Sequence, residues 1–375
     1  AASVTITATN SSVLTVTGAG VTQPIQNNKK ASSFIFNLPV VFDSEGGTET
    51  LRFNNGTQDI TFSSSLTLND PLTVSGVNKN HDLNLNGSLL GSANLIFGAK
   101  TQANFGSAYD GSSYAGTLTT AGGAASTNNQ VTIISNVADD GTFLKSAGSL
   151  NVTKDGASIT VNGANTLKGN IAIGDFSPTL TVNKNQSAIG TVTMGSGTLS
   201  LALATDVTSA AFADNSSSDW GTGKVVITGA ADDEVSFGTD ANGITADQLA
   251  QITMSGSQAV ISDTGKLSVL VVAVSTFTNT GGDNLWSNAA NWSAGIPNID
   301  TAKVTVDADL IIDSSVTVGQ IKTSGATSAA SVTITATNSS VLTVTGAGVT
   351  QPIQNNKKAS SFIFNLPVVF DSEGG

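Results

Sequence analysis

The sequence predicts an all-β protein, a right-handed parallel β-helix (solenoid) with coils of about 21 residues and one short helix. Three observations support this prediction. Residues 1–47 recur letter for letter as residues 329–375, so that Ala1 corresponds to Ala329. Apolar residues alternate with polar ones and return at a fixed phase, as in stacked half-buried strands. The composition, with 39% hydrophobic residues, 11% charged residues, 39 glycines and 7 prolines, suits short strands joined by turns.

The repeated segment indicates a tandem array, because old duplications diverge whereas these two copies are identical. We therefore expect one full period of a long repeat followed by the opening of the next copy. The first residue, Ala1, also suggests a piece of a longer chain. The alternative is a terminal segment that was copied by design.

Two series of apolar pairs, each with a constant spacing, set the predicted coil length. The first is Leu150/Val152, Ile171/Ile173 and Val192/Met194, and the second is Ile159/Val161, Leu180/Val182 and Leu201/Leu203. A glycine lies two residues before each pair of the first series, as a tight corner or a close backbone approach requires: Gly148, Gly169 and Gly190. A β-sandwich shares the alternation but does not hold one phase over successive coils.

The N-terminal third follows the rhythm more loosely, so we expect coils throughout residues 1–205. Leu51/Phe53 is expected to stack on Leu72/Val74 at the same spacing, and Leu72/Val74 on Leu95/Phe97 at a slightly longer one. Residues 104–129 are rich in Gly, Ser and Ala and indicate a corner or loop excursion.

Residues 206–275 are expected to form a module that closes the unit. Thr245-Ala-Asp-Gln248 is a capping-box pattern, which predicts a short helix with Leu249 behind it. Residues 276–328 would then open the next unit, and residues 329–375 would continue it as the copy of 1–47.

Two motifs in these modules resemble a known class of protein. Asn284-Leu-Trp286-Ser-Asn-Ala-Ala-Asn-Trp292-Ser-Ala-Gly-Ile-Pro297 is similar to the opening of units in large exported bacterial repeat proteins, including autotransporter passenger regions. Ala213-Asp-Asn-Ser-Ser-Ser-Asp-Trp220, with Ile244-Thr-Ala-Asp-Gln-Leu-Ala-Gln-Ile252, resembles the block that closes such units. The resemblance implies an extracellular or cell-surface β-helix, and it implies no catalytic residues.

The candidate site is a structural junction. Trp286 and Trp292 are expected to plug the end of a hydrophobic rod or a junction between units, since an indole is a large apolar group with one donor. An exposed indole shelf for sugar rings is the alternative. The hydrophobic residues expected to join one copy to the next are Val4, Ile6, Leu14, Val16, Phe34, Phe36 and Phe42, with their counterparts in the second copy.

Other chemistries have weak support in the sequence. The carboxylates at Asp232, Asp233, Glu234 and Asp240 match no calcium-loop spacing, so we expect solvated turns and no metal or other cofactor. His81 is the sole histidine and there is no cysteine, which argues against a zinc site or a catalytic triad. The sequence does not exclude a pair of carboxylates that hydrolyses glycosidic bonds, because it does not give the distance between two carboxylates.

The charge balance restricts the partners. A net charge of −12 with a single arginine, Arg52, disfavours nucleic acid and acidic membrane surfaces. No apolar run reaches transmembrane length, so no membrane insertion is expected.

We therefore expect a structural repeat unit of a long tandem-repeat β-solenoid fibre at a bacterial surface, with adjacent copies of the same repeat as partners. An adhesin stalk or glycan-binding surface protein is the alternative. A polysaccharide-active enzyme comes third, and we expect no enzyme.

Overall fold

The computed structural model describes residues 3–17, 24–27, 33–44, 46–53, 58–76, 81–121, 131–146, 148–269, 274–324, 331–347, 349–356 and 361–371. The chain divides into two compact units, Ala1–Val269 (unit 1) and Leu270–Gly375 (unit 2). Each unit is described by itself.

Unit 1 consists of short strands, nearly all of three to five residues. The first fifteen are Val4–Thr7 (β1), Leu14–Val16 (β2), Ile25–Asn27 (β3), Phe34–Asn37 (β4), Val40–Phe42 (β5), Glu49–Phe53 (β6), Gln58–Phe62 (β7), Leu66–Leu68 (β8), Leu72–Gly76 (β9), His81–Leu85 (β10), Leu89–Gly91 (β11), Leu95–Phe97 (β12), Thr101–Phe105 (β13), Thr117–Thr120 (β14) and Thr132–Ser135 (β15). The next ten are Ser149–Val152 (β16), Ser158–Val161 (β17), Asn170–Gly174 (β18), Thr179–Val182 (β19), Gln186–Ile189 (β20), Val192–Met194 (β21), Thr198–Leu203 (β22), Ala210–Phe212 (β23), Lys224–Thr228 (β24) and Val235–Phe237 (β25). The unit ends with the helix Ala246–Ala250 (α1) and the strands Ile252–Met254 (β26), Ser257–Ile261 (β27) and Leu267–Val269 (β28).

The strands stack in parallel into the faces of a β-solenoid, which confirms the predicted fold class. Sheet 1 runs β1-β4-β7-β10-β13-β15-β17-β19-β22-β24-β26 and ends in the antiparallel pairs of β27 and β28. Sheet 2 is β2-β5-β8-β11, sheet 3 is β3-β6-β9-β12-β14-β16-β18-β21, and sheet 4 is β20-β23-β25. Because sequence neighbours lie on different faces, each strand pairs with the strand one coil away.

The predicted coil length holds in the middle of unit 1, where Ile159, Leu180 and Leu201 are successive Cα partners in sheet 1. Nearer the N-terminus the coils are longer, since Phe34 is the partner of Ile60 and Ile60 is the partner of Leu83. Variable corners between the strands absorb the difference, because only the strand positions must stay in register.

One expected register is wrong by two residues. Leu51 pairs with Val74, and Leu72 pairs with Glu49. The sequence pattern favoured apolar partners, so it did not place a glutamate on the inward face.

Corners of successive coils are joined by side-chain amides and carboxylates. Asn170 Oδ1 accepts from the backbone N–H of Thr191 at 2.9 Å, and Asp175 Oδ1 from that of Ser196 at 2.8 Å, in each case one coil further along the chain. On the outside of sheet 1, Asn183 donates to Asn162 and Asn162 to Asn136, both at 2.7 Å. The Asn170 and Asp175 bonds satisfy corner backbone groups that no strand reaches. The asparagine bonds join the side chains of successive coils.

The corner glycines allow the backbones of successive corners to approach each other closely. A Cβ added to Gly190 would lie 2.6 Å from the backbone of Gly169, and one added to Gly169 would lie 2.6 Å from the backbone of Gly148. Neither contact is tolerable for a side chain, so the glycine series lets successive corners stack.

Of residues 104–129, where we expected a corner or loop excursion, residues 104–121 are described. They contain the end of β13 and all of β14, and Asp110 and Tyr114 form parallel bridges to Ser88 and Gly91. Tyr109 and Tyr114 are buried in the core. Aromatic side chains supply the core here, which is why aliphatic alternation is weak in this part of the sequence.

Unit 2 repeats the parallel architecture on a smaller scale. Its elements are Val274–Phe277 (β29), a 3₁₀ turn at Ala289–Asn291, Ile299–Val306 (β30), Leu310–Ile312 (β31), Val316–Lys322 (β32), Val332–Ala336 (β33), Leu342–Val344 (β34), Ile353–Gln354 (β35), Phe362–Asn365 (β36) and Val368–Phe370 (β37). One sheet runs β29-β30-β32-β34-β37 with β35 beside β32, and the other is β31-β33-β36. A separate apolar core from Phe277 to Val344 lies inside.

The described residues contain no helix with the length and apolar character that crossing a membrane requires.

Candidate functional site

The repeated segment folds in the same way in both copies. β1 pairs with β4 and β2 with β5, and in the second copy β33 pairs with β36 and β34 with β37 in the same register. The turn after the first strand has positive φ at the same two positions, Asn10 and Ser11 in the first copy and Asn338 and Ser339 in the second. The local sequence therefore determines this structure independently of what lies on either side.

The second copy packs on the strands that precede it. Ile334 pairs with Leu310, and Leu342 pairs with Val316. The four apolar side chains of its first two strands are buried in this contact, with exposed fractions of 0–1%: Val332, Ile334, Leu342 and Val344. Residues 299–322 are thus one partner of the repeated segment.

The first copy packs on the strands that follow it. Phe34 pairs with Ile60, and Val40 pairs with Leu66. The ring of Phe36 stacks on that of Phe62, with centroids 5.1 Å apart and planes 11° apart. Residues 49–68 are thus the second partner, and they bind the opposite side of the segment.

The apolar residues predicted to form the junction are buried to different extents in the two copies. In the first copy Phe36 and Phe42 are buried, Val4 is 40% exposed, and four residues are partly buried: Ile6, Leu14, Val16 and Phe34. In the second copy the burial is reversed, since Phe370 is 62% exposed and Phe364 and Val368 are only partly buried. Six of the seven predicted positions are fully buried in one copy or the other, and Phe34, like its counterpart Phe362, is partly buried in both.

The two tryptophans of unit 2 lie in its core. Trp286 is 0% and Trp292 is 6% exposed, and their rings meet edge to face with centroids 4.7 Å apart. Trp286 Nε1 donates to Pro297 O at 3.0 Å, and Trp292 Nε1 donates to Trp286 O at 2.7 Å. Trp292 also packs on Phe277 of β29, the first strand of the unit. Because both indole N–H groups are bonded internally, neither ring offers an exposed shelf for a sugar.

A polar loop fixes the tryptophans in place. Asn291 is fully buried and donates to Asp283 Oδ1 at 2.6 Å and Leu285 O at 2.9 Å, while its Oδ1 accepts from Gly281 N at 2.8 Å. Asn288 donates to the other oxygen of Asp283. The backbone N–H of Leu285 and the amides of Asn291 and Asn288 hold the pKa of the Asp283 carboxyl below its ordinary value. The Asn and Asp residues of the motif are therefore structural.

The last coil of unit 1 ends differently. β26 is covered by the antiparallel strands β27 and β28, which end the parallel stacking. The helix α1 has the predicted capping box, with Gln248 N donating to Thr245 Oγ1 and Thr245 N donating to Gln248 Oε1. Gln248 Nε2 also donates to the carbonyls of Asn215 and Ser218, which ties the helix to an earlier corner.

The acidic residues form no group of three or more metal ligands in the part of the chain that the structure describes. Glu234 and Asp240 each accept a backbone N–H within their own turns. Asp232 accepts the backbone N–H of Val269 in β28, and Asp233 accepts from the hydroxyl of Ser268 in the same strand. The side chain of His81 lies outside the described residues.

One pair of carboxylates shares an outward face. Asp59 and Asp82 are Cα partners in neighbouring coils of sheet 1. Partial burial, together with the Asp59 charge, raises the pKa of Asp82. Adjacent rungs of a sheet are about 4.8 Å apart, so the two like charges repel each other here.

Sequence reasoning missed Glu49, an inward-facing carboxylate. It is 2% exposed, and neither of its oxygens has a hydrogen-bond partner among the described residues. Its register partners along sheet 3 are all apolar: Leu72, Leu95, Leu118, Leu150, Ile171 and Val192. Burial raises the pKa of Glu49, and the nearby Asp70 charge raises it further. The spacing between Leu72 and Leu95, counted back from Leu72, leads to Glu49 and would have revealed its inward position.

The fold defines a class, a β-solenoid with two apolar cores and a segment that occurs twice. Comparison with known proteins gives no match: no family model, no curated protein and no solved structure matches this chain.

Proposed function

We propose that this chain is a structural repeat unit of a long tandem-repeat β-solenoid fibre at a bacterial cell surface. The observation that carries the proposal is the opposite burial of the two copies. Val4 is 40% exposed where Val332 is 0% exposed, and Phe42 is 0% exposed where Phe370 is 62% exposed. One segment thus has two complementary sides and a partner for each.

In an array, a single copy of the segment would use both partners at once. Residues 299–322 would lie on one side, and residues 49–68 of the following period would lie on the other. The inward ladders would then continue through the segment without a break, since each register is already fixed in one copy. The solenoid unit would be a permuted period, residues 270–328 followed by 1–269.

The two ends of that permuted period support its role as a unit. It begins at the buried Trp286 and Trp292, packed beside β29, and it ends at the antiparallel strands β27 and β28. Solenoid ends need such covers, because unpaired parallel edges recruit other strands. The chain would therefore consist of covered solenoid units, each assembled across the repeated segment.

The surface location rests on the sequence. The resemblance to exported bacterial repeat proteins favours it, and the absence of cysteine is compatible with it. Exposed indoles would favour the sugar-binding form of the adhesin alternative, and the buried Trp286 and Trp292 give that form no support.

The mass of the polypeptide from its native surface tests the proposal. A denaturing gel with intact-mass spectrometry should give a mass several times 37.6 kDa. A mature polypeptide the size of one period would contradict it.

A further inference from the structure

We infer that Glu49 and Asp70 form a binding site for one calcium ion, at the corner that leads into β6. The site consists of residues of unit 1 alone, so it does not depend on the proposed function. The sequence-based expectation of no metal came from other residues, among them the carboxylates between Asp232 and Asp240.

The two carboxylates meet at one corner from neighbouring coils. Glu49 begins β6, and its backbone N–H donates to Pro71 O at 3.0 Å. Asp70 directly precedes Pro71, and its side chain reaches back to the corner before β6. Asp70 Oδ2 accepts from Ser44 N at 2.6 Å, and Oδ1 accepts from Gly46 N at 3.0 Å. The Asp70 carboxylate is therefore fixed beside the start of the strand that carries Glu49.

The Glu49 carboxylate is buried without a partner. Glu49 is 2% and Asp70 is 9% exposed, and neither Glu49 oxygen has a hydrogen-bond partner among the described residues. Two neighbouring carboxylates in an apolar core are costly, because buried charges are normally paired or bound to a metal. The Asp70 charge makes ionisation of Glu49 still less favourable, as the raised pKa of Glu49 shows. An unpartnered buried group of this kind points to a bound ion.

The donor set fits calcium. Both Glu49 oxygens are available as ligands, and each Asp70 oxygen keeps a lone pair beside the N–H bond that it accepts. The two negative charges balance one Ca²⁺. Calcium takes about six to eight oxygen ligands in a flexible geometry, so backbone carbonyl and water oxygens would complete the shell without a third acidic residue. Magnesium fits less well, because it requires octahedral geometry and retains several of its waters.

The calcium dependence of the stability of the full-length chain tests the site. With only two charged ligands, we expect a Kd on the order of 10⁻⁴–10⁻³ M. Peptide-resolved hydrogen exchange at one neutral pH compares EDTA with calcium at matched ionic strength. Calcium at about ten times its Kd should slow exchange of the β6 and β9 amides about tenfold, because only the folded coil binds the ion. Titration calorimetry with Ca²⁺ should give one ion per chain.

Two variants show whether the ion binds at this corner. Glu49→Gln should abolish the response to calcium. Because this change also removes the buried charge, the variant should be at least as stable as the wild type in EDTA, so that its lost response does not reflect misfolding. Asp175→Asn is the matched control. Asp175 also accepts a corner N–H, from Ser196 at 2.8 Å, but it is exposed, so this variant should keep the full response.

Slower exchange in calcium for the wild type and Asp175→Asn, but not for Glu49→Gln, would support the site. Exchange in the wild type that calcium leaves unchanged would overturn the inference. An equal response in Glu49→Gln and the wild type would overturn it as well, because the ion would then act elsewhere on the chain.

Discussion

Phe42 and Phe370 occupy the same position of the repeated segment, yet Phe42 is fully buried and Phe370 is 62% exposed. Phe42 pairs with Leu68 of the next coil, which belongs to unit 1. Among the described residues, Phe370 has its strand partner on the other side, where it pairs with Val344. The same side chain in the same local backbone therefore has two environments. The difference in exposure measures how much one neighbouring coil contributes to the burial of this side chain.

We predict that the same substitution has different effects in the two copies. Phe42→Ala should lower the free energy of unfolding of unit 1 by about 3–5 kcal/mol, because it leaves a cavity in a packed core. Phe370→Ala should cost less than about 1 kcal/mol, since its ring is mostly in solvent. Urea unfolding with peptide-resolved hydrogen exchange separates the two units. Equal losses would show that the two copies are equally covered.

Glu49 should make the stability of unit 1 depend on pH. Its pKa is raised in the folded state by burial and by Asp70, so folding favours the protonated form. The stabilising contribution is complete below the ordinary glutamate pKa of about 4.3 and is lost as pH rises through the folded pKa. Relative to the wild type, Glu49→Gln should therefore be more stabilising at pH 8 than at pH 4.

The comparison with Glu49→Gln isolates this residue from other carboxylates. Asp283 has a lowered pKa, so its contribution is present above the ordinary aspartate pKa of about 3.9 and is lost on further acidification. Urea midpoints of wild type and variant across pH 4–8 give the measurement. Parallel curves for the two proteins would mean that Glu49 has a partner or is solvated.

Asn291 should hold the tryptophan pair in place. Asn291→Ala removes two donated bonds and one accepted bond in a buried loop, which should destabilise unit 2 by about 2–3 kcal/mol. Acrylamide should then quench the indole emission more strongly than in the wild type, where Trp220, Trp286 and Trp292 are all buried. Ser287→Ala is the control, because the Ser287 bond to Asp313 is exposed and should cost less than about 1 kcal/mol. Strong quenching already in the wild type would reopen the glycan-shelf alternative.

The sequence was sufficient to predict the class of fold and the helix cap. The constant spacing from Ile159 to Leu180 to Leu201 reflects corners of constant length, and Thr245 with Gln248 forms a local motif that needs no tertiary information. Where corner lengths vary, only the observed strand pairing determines the register between successive coils. The residue pair Glu49 and Leu72 shows this, since the apolar pattern favoured Leu51 over Glu49 as the partner of Leu72.

The site was predicted in part. The apolar side chains of the segment were identifiable from alternation, but their two-sided burial depends on residues 299–322 and 49–68, which sequence does not assign to opposite sides. The tryptophans were expected to plug the end of a hydrophobic rod or a junction between units. Both are buried, and their role at a junction stays a prediction. The hydrogen bonds of the Asp283 and Asn291 loop were not predicted. They join polar side chains within one loop, and a pattern of apolar residues does not indicate such bonds.

Hydrogen exchange on a permuted chain, residues 270–328 followed by 1–269, tests whether the solenoid continues through the repeated segment. In the second copy Thr345 N donates to Val318 O at 2.9 Å and Thr337 N to Ile312 O at 3.0 Å. The corresponding amides in the first copy are Thr17 and Thr9. We predict that both amides exchange at least about tenfold more slowly in the permuted chain than in the original chain, because residues 299–322 then cover them. Unchanged exchange at Thr17 and Thr9 would contradict a continuous solenoid through the repeated segment.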